Sequence, residues 1–75
     1  MLSYAAQEYV SKMLGVYLED GKTTTFKIID IGTDQSVWNE LENAGIVKLF
    51  PKFGTVEYDP YADDTLYPSD TILDE

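Results

Sequence analysis

The chain has no cysteine and no histidine among its 75 residues, and this absence limits the possible folds more than any motif does. Neither a disulfide nor a zinc site built from the usual ligands can hold such a chain together. Its stability must come from one small hydrophobic core, because a chain of this length buries only about 60% of the surface that its unfolded form exposes. We expect a single small domain, and a homodimer would enlarge its core.

The second constraint is a net charge of −9, from 14 Asp and Glu against five Lys, with no Arg. Residues 1–53 contain seven of the acids and all five Lys, whereas residues 54–75 contain seven acids and no base. Such a surface repels nucleic acid and anionic lipid and attracts basic protein surfaces. We therefore expect no direct nucleic-acid binding, which needs clustered Lys or Arg. Solubility and a solvated tail are the alternative explanations of the charge.

Several classes of function are disfavoured by the residue types. The apolar runs are far shorter than the ~20 residues that cross a bilayer, and no signal peptide is recognisable. We expect a cytoplasmic protein, in the host-cell cytoplasm if its source is viral. Without a thiolate or a Ser-His pair we expect neither enzyme activity nor a cofactor. Asp63-Asp64 lacks the spacing of a Ca²⁺ loop, so we predict no metal site.

Capping and turn residues divide the first part of the chain. Ser3 is a suitable N-cap for a helix through about Leu14, and Gly15 follows as its C-terminal glycine. The residues 16–19 then indicate a short strand. Asp20-Gly21 is a two-residue hairpin signal that leads into a β-branched strand over 22–31.

A helix and a hairpin follow. Thr33 or Asp34 can cap the helix, and Gly45 ends it. Its buried stripe is predicted to consist of Val37, Trp38, Leu41 and Ala44. Strands over 46–50 and 55–59 form the hairpin around the turn 51–54. The prediction is thus a small α+β domain over 1–60, in the order α-β-β-α-β-β, followed by an extended acidic C-terminal tail over 61–75.

The segment WNELENAGIVKL (38–49), followed by FGTVEY (53–58), resembles the helix-plus-wing part of winged-helix domains. There, a helix ends in a glycine, an aliphatic pair begins a hairpin, and a turn with glycine leads to the returning strand. Winged-helix proteins that bind DNA have Lys and Arg on the helix and the wing. This chain instead has Glu40 and Glu42 on the helix and Glu57 and Asp59 on the returning strand. The resemblance implies the shape without DNA binding.

Glu57 and Asp59 lie on one face of the predicted strand, about 6.6 Å apart, which is comparable with the step between nucleic-acid phosphates. A row of carboxylates at this spacing can occupy a DNA-binding groove through the same Lys and Arg side chains. Further candidates for such a row are Asp63, Asp64, Asp70, Asp74 and Glu75, with Glu40 and Glu42 on the helix. In kind, the chain resembles the acidic DNA-mimic proteins of bacteriophages, which disable host nucleases, polymerases, repair enzymes or nucleoid-associated proteins. We therefore expect a basic DNA-binding protein of the host as its partner.

The tyrosines support an alternative function. Tyrosine is enriched at protein interfaces because it combines contact area with a polar group. Tyr61 and Tyr67 lie beside acids in the tail and are candidates for partner contact, whereas Tyr17, Tyr58 and Trp38 are expected in the core. The alternative is a non-enzymatic adaptor or virion component that binds its partner through this Tyr-rich surface.

Overall fold

A computed structural model describes residues 2–62 and confirms a mixed α+β fold. The elements are α1 (Tyr4–Asp20), β1 (Thr25–Lys27), α2 (Ile28–Ile31), α3 (Gln35–Asn43), β2 (Val47–Phe50), β3 (Thr55–Tyr58) and a 3₁₀ turn (Pro60–Ala62). The three strands form one antiparallel sheet in the order β1-β3-β2. The order of elements is therefore α-β-α-α-β-β rather than the predicted α-β-β-α-β-β. The predicted tail lies, from residue 63 onward, outside the described residues.

Helix α1 continues past Gly15 to Asp20, so the predicted strand over 16–19 and the hairpin turn at Asp20-Gly21 are wrong. Ser3 is the N-cap as predicted, and its hydroxyl accepts a hydrogen bond from the Ala6 N–H at 3.1 Å. The left-handed C-terminal glycine is Gly21, with φ at 72°, not Gly15. An exposed glycine costs a helix only about 1 kcal/mol, and the following aliphatic residues continue the helix through it.

The predicted strand over 22–31 is also only partly correct. Three residues, Thr25–Lys27, pair with β3, and the chain then turns into the short helix α2. Ile28 is half-buried, Ile29 is 76% exposed and Ile31 is buried, which is the burial pattern of one helical turn. The β-branched run over 22–31 therefore changes from strand to helix at Ile28.

Helix α3 begins as predicted, with Asp34 as the N-cap whose carboxylate accepts from the Ser36 N–H at 3.0 Å. Trp38 lies at the centre of the core, 1% exposed, and its indole N–H donates to the Gly32 carbonyl at 2.8 Å. Ala44 is exposed, contrary to prediction, because the helix ends at Asn43. The buried core also contains Ala6, Val10, Met13, Val37, Leu41, Val56 and Tyr58.

The predicted hairpin is confirmed as β2 and β3, with Val47 opposite Tyr58 and Phe50 opposite Thr55. Strand β3 is the middle strand, and it alternates between a buried and an outer face. Val56 and Tyr58 point into the core, while Glu57 lies on the outer face. The hairpin thus places Glu57 in the middle of the sheet's exposed side.

Replacing Gly32 with alanine is expected to destabilise the fold by about 1–3 kcal/mol, the usual cost of overpacking. A Cβ at Gly32 would overlap the ring end of Tyr9. That ring cannot move freely, because its hydroxyl accepts from the Asp34 N–H at 3.1 Å and its centroid lies 4.9 Å from that of Trp38. Urea unfolding measures the change.

The matched control is Gly15→Ala, which adds the same methyl group to an open helical position. It should stabilise the protein by about 0.5–1 kcal/mol, because alanine is the better helix former. Equal effects of the two substitutions would contradict this account of Gly32.

Candidate functional site

Glu57 is held on the outer face of the sheet by two threonine hydroxyls. In the strand register it lies opposite Thr25 of β1 and Lys48 of β2. The hydroxyls of Thr24 and Thr25 donate to Glu57 Oε2 at 2.8 Å and to Oε1 at 2.5 Å, respectively. The ammonium of Lys48 lies 5.7 Å from the ring centroid of Phe50. The orientation of the Glu57 carboxylate is thus set by uncharged donors.

Asp59 lies just beyond β3, where the chain enters the 3₁₀ turn. Its N–H donates to the Ile46 carbonyl at 2.9 Å, and its Oδ1 accepts from the Tyr61 N–H at 3.0 Å. These bonds position the carboxylate and start the turn through the buried Pro60. Asp59 therefore has a defined orientation, as Glu57 has.

The two carboxylates line one open cleft of about 330 Å³, whose lining consists of Tyr17, Thr24, Glu57, Tyr58, Asp59, Pro60 and Tyr61. The hydroxyls of Tyr17 and Tyr61 lie 3.1 Å apart, which links α1 to the 3₁₀ turn. Tyr61 is 80% exposed. Tyr58 is buried as predicted, whereas Tyr17 is only half-buried. The cleft therefore combines phenol rings with two carboxylates.

Two other candidate acids make contacts within the fold. Glu40 accepts hydrogen bonds from Ser3 Oγ at 2.7 Å and from the Ser3 N–H at 2.6 Å, which joins α3 to the start of α1. Glu42 accepts from the Leu49 N–H of β2 at 3.3 Å. Neither residue lines the cleft with Glu57 and Asp59. The candidates Asp63, Asp64, Tyr67, Asp70, Asp74 and Glu75 lie outside the described residues.

Four residues that line the cleft were not among the predicted site residues, namely Tyr17, Thr24, Tyr58 and Pro60. Tyr17 was expected in a strand, with its side chain in the hydrophobic core, and Thr24 was expected only as a strand residue. Tyr17 reaches the cleft because α1 continues to Asp20, and a helical extension of the stripe through Val10 and Met13 was the signal that could have indicated this. The role of Thr24 depends on the pairing of β1 with β3, for which the sequence holds no local signal.

Hydrogen bonds lower the pKa of three carboxyls. Donors from Thr23, first its hydroxyl and then its N–H, lower the pKa of Asp20 from 3.8 to about 2. The hydroxyl and N–H of Ser36 lower the pKa of Asp34 below its ordinary value. The same two groups of Ser3 lower the pKa of Glu40. Each of these carboxylates therefore contributes to stability in its ionised form.

We expect the contribution of Asp20 to disappear on acidification. Its pKa is lower in the folded state than in the unfolded state, so its contribution is complete above about pH 4 and is lost as the pH falls toward about 2. Urea unfolding of the wild type and of Asp20→Asn across this range measures it. The difference between the two proteins should shrink with falling pH, and a constant difference would contradict the assignment.

Within residues 2–62, no three or more metal-binding side chains lie close enough together to hold an ion. The helices of this part of the chain lack the length and apolarity needed to cross a membrane. Comparisons of the chain with protein-family models, with curated proteins and with solved structures found no match.

Proposed function

We propose that this protein is an acidic DNA mimic that inhibits a host DNA-binding protein by occupying its basic DNA-binding surface. The observation that carries the proposal is the pair Glu57 and Asp59, which line one exposed cleft and are oriented by uncharged donors. Hydroxyl and amide donors hold the carboxylates in place without neutralising their charge. Lys48 lies opposite Glu57 in the register, with its ammonium 5.7 Å from the ring centroid of Phe50. Carboxylates that are ordered in advance bind without the entropic cost of ordering them.

The charge of the whole chain supports the same function. A protein of net charge −9 approaches a basic groove faster than a neutral one does, and it is repelled by nucleic acid. Nucleoid-associated proteins, nucleases, repair enzymes and polymerases all present Lys and Arg arranged for phosphates. A bacteriophage origin, action in the host cytoplasm and a homodimer that lengthens the carboxylate row belong to this proposal.

The segment 38–58 supports a winged-helix shape for the scaffold. Helix α3 is followed by Gly45 at φ 79°, the buried pair Ile46-Val47 and a hairpin whose turn contains Gly54 at φ 67°. These are the features on which the resemblance depends. A mimic on such a scaffold would present acids where a DNA-binding relative presents bases.

The test is capture of partners from a bacterial lysate on the tagged, full-length protein, with elution by a salt gradient. We expect a basic DNA-binding protein that elutes at moderate salt and that added duplex DNA displaces. The screening length falls from about 10 Å at 0.1 M salt to about 3 Å at 1 M, so contact between charges must weaken steeply. A partner that does not bind DNA would contradict the proposal.

One observation favours the adaptor or virion component as a second candidate. Tyr61 presents most of its ring to solvent, tethered at its hydroxyl by Tyr17. A partner held mainly by such aromatic contacts would stay bound at 1 M salt, because apolar contact is little affected by screening. Retention through the whole gradient would therefore favour the adaptor.

A further inference from the structure

The cleft beside β3 has a chemistry that selects among basic side chains, and this inference rests on the proposed function because it names the contact that holds the partner. We propose that the cleft binds the guanidinium group of an arginine side chain from the partner. Its carboxylates would come from Glu57 and Asp59, and its aromatic surface from Tyr61 and Tyr17.

The lining is mostly apolar in area, and Glu57 and Asp59 add two carboxylates to it. A wholly apolar occupant would cover these carboxylates without replacing their hydrogen bonds to water, which is costly. A cation, in contrast, is attracted both to the carboxylates and to the faces of phenol rings. The cleft volume of about 330 Å³ admits a single long side chain.

Hydrogen-bonding capacity then favours arginine over lysine. An ionised carboxylate has about four acceptor positions, and the described bonds use one on each oxygen of Glu57 and one on Asp59 Oδ1. The remaining positions match the planar fork of N–H groups on a guanidinium, which also stacks on aromatic rings. An ammonium is a strongly hydrated point charge and gains less from this arrangement.

The ring of Tyr61 is well placed to stack on such a group. It is 80% exposed, while its backbone N–H is bound to Asp59 and its hydroxyl lies 3.1 Å from that of Tyr17. The ring is therefore both accessible and tethered at two points. A tethered tyrosine gives a large contact area at a low cost in conformational entropy.

The test is an NMR titration of the full-length protein with two capped tripeptides, Gly-Arg-Gly and Gly-Lys-Gly, which have the same charge. We expect the arginine peptide to shift the ring signals of Tyr17 and Tyr61 and the amide signals of Glu57 and Asp59. We also expect it to bind a few-fold more tightly than the lysine peptide. Equal affinities, or shifts spread over all acidic residues, would overturn the proposal, because net charge alone would explain them.

Tyrosine substitutions test whether the arginine peptide binds at the cleft. Tyr61→Ala should weaken the arginine peptide about two- to fivefold, the effect of one exposed cation–π contact. Tyr61→Phe retains the ring and should bind nearly as well as the wild type. The matched control is Tyr4→Ala, which removes an equally exposed tyrosine from the other end of α1, about 20 Å from Tyr17 along the helix. Equal losses for the Tyr4 and Tyr61 alanine variants would overturn the proposal.

Glu57→Gln tests the carboxylate separately, since the amide oxygen of glutamine can still accept from one of the two threonine hydroxyls and its NH2 can donate to the other. Loss of arginine selectivity in this variant supports the proposal, and unchanged selectivity overturns it. Displacement of DNA from the partner protein by the wild-type protein, measured in a separate experiment, tests the proposed function. If that displacement persists without arginine selectivity, only the cleft assignment is wrong. If the selectivity persists without displacement, the proposed function is wrong.

Discussion

Replacing Glu57 and Asp59 with lysine is expected to weaken strongly the displacement of DNA from the partner protein. In the proposed complex, both carboxylates face cationic side chains, and reversal turns each attraction into a repulsion. Loss of one member of a close interfacial charge pair costs about 2–5 kcal/mol, so the affinity should fall by at least about 30-fold. Competition between the protein and a labelled DNA duplex for the captured partner measures the change.

The matched control reverses Glu8 and Asp30, two exposed acids that do not line the cleft. Either double reversal changes the net charge from −9 to −5, because each substitution adds two positive charges. We expect the control to lose only a few-fold in affinity, through weaker long-range attraction. If both double variants lose the same amount, total charge rather than the cleft determines binding.

A variant with uncharged substitutions shows whether misfolding explains the loss of binding by the lysine variant. In Glu57→Lys, the new ammonium would lie opposite Lys48 across the strands, where like charges destabilise a sheet. Glu57→Gln with Asp59→Asn avoids this repulsion and should still bind at least tenfold more weakly than the wild type. Extending the reversal to Asp63 and Asp64 should leave no measurable displacement. A fully reversed variant that still displaced DNA would refute the mimic.

Replacing Trp38 with alanine is expected to remove a large part of the stability of the fold. Removal of a buried aromatic side chain costs about 3–5 kcal/mol. A domain of this length has only about 4–11 kcal/mol of stability in total. The substitution also removes the ring against which Tyr9 packs and the donor to the Gly32 carbonyl. We expect the thermal midpoint, measured by far-UV circular dichroism, to fall by at least about 15 °C.

Two controls separate this effect from the loss of an aromatic ring in general. Trp38→Phe retains most of the volume and loses the hydrogen bond to Gly32, so it should cost about 1–2 kcal/mol. Tyr4→Ala removes an exposed ring and should change the stability by less than about 0.5 kcal/mol. A small effect of Trp38→Ala would mean that the core is not built around this residue.

The predictions that the structure confirmed depend on residues close together in the chain. Ser3 and Asp34 cap helices because their side-chain oxygens reach N–H groups two or three residues further on. The hairpin over 47–58 follows from two β-branched and aromatic runs joined by a short turn with glycine. Such signals act within one turn of helix or one loop, so no other part of the chain is needed to interpret them.

The predictions that failed concern residues with two acceptable local conformations. Gly15 and Asp20-Gly21 are typical of a helix end and a hairpin turn, yet the first lies within a helix and the second ends it. Ile28 and Ile29 favour a strand by composition, but burial of Ile31 against the core selects a helical turn. At Ile28-Ile29, tertiary packing outweighs a local preference for strand of about 1 kcal/mol. At Gly15, the cost of glycine within a helix, also about 1 kcal/mol, is too small to end α1.

By itself, the sequence determined that the chain contains no disulfide and that residues 54–75 contain no basic side chain. It also determined that Glu57 and Asp59 lie two positions apart near the end of a hairpin. Only the tertiary structure decided which groups surround them. Tyr17 meets Tyr61 across 44 positions of the chain, and Glu40 binds Ser3 across 37. Neither contact has a local signature, because each arises only when α1 packs beside elements that come later in the chain.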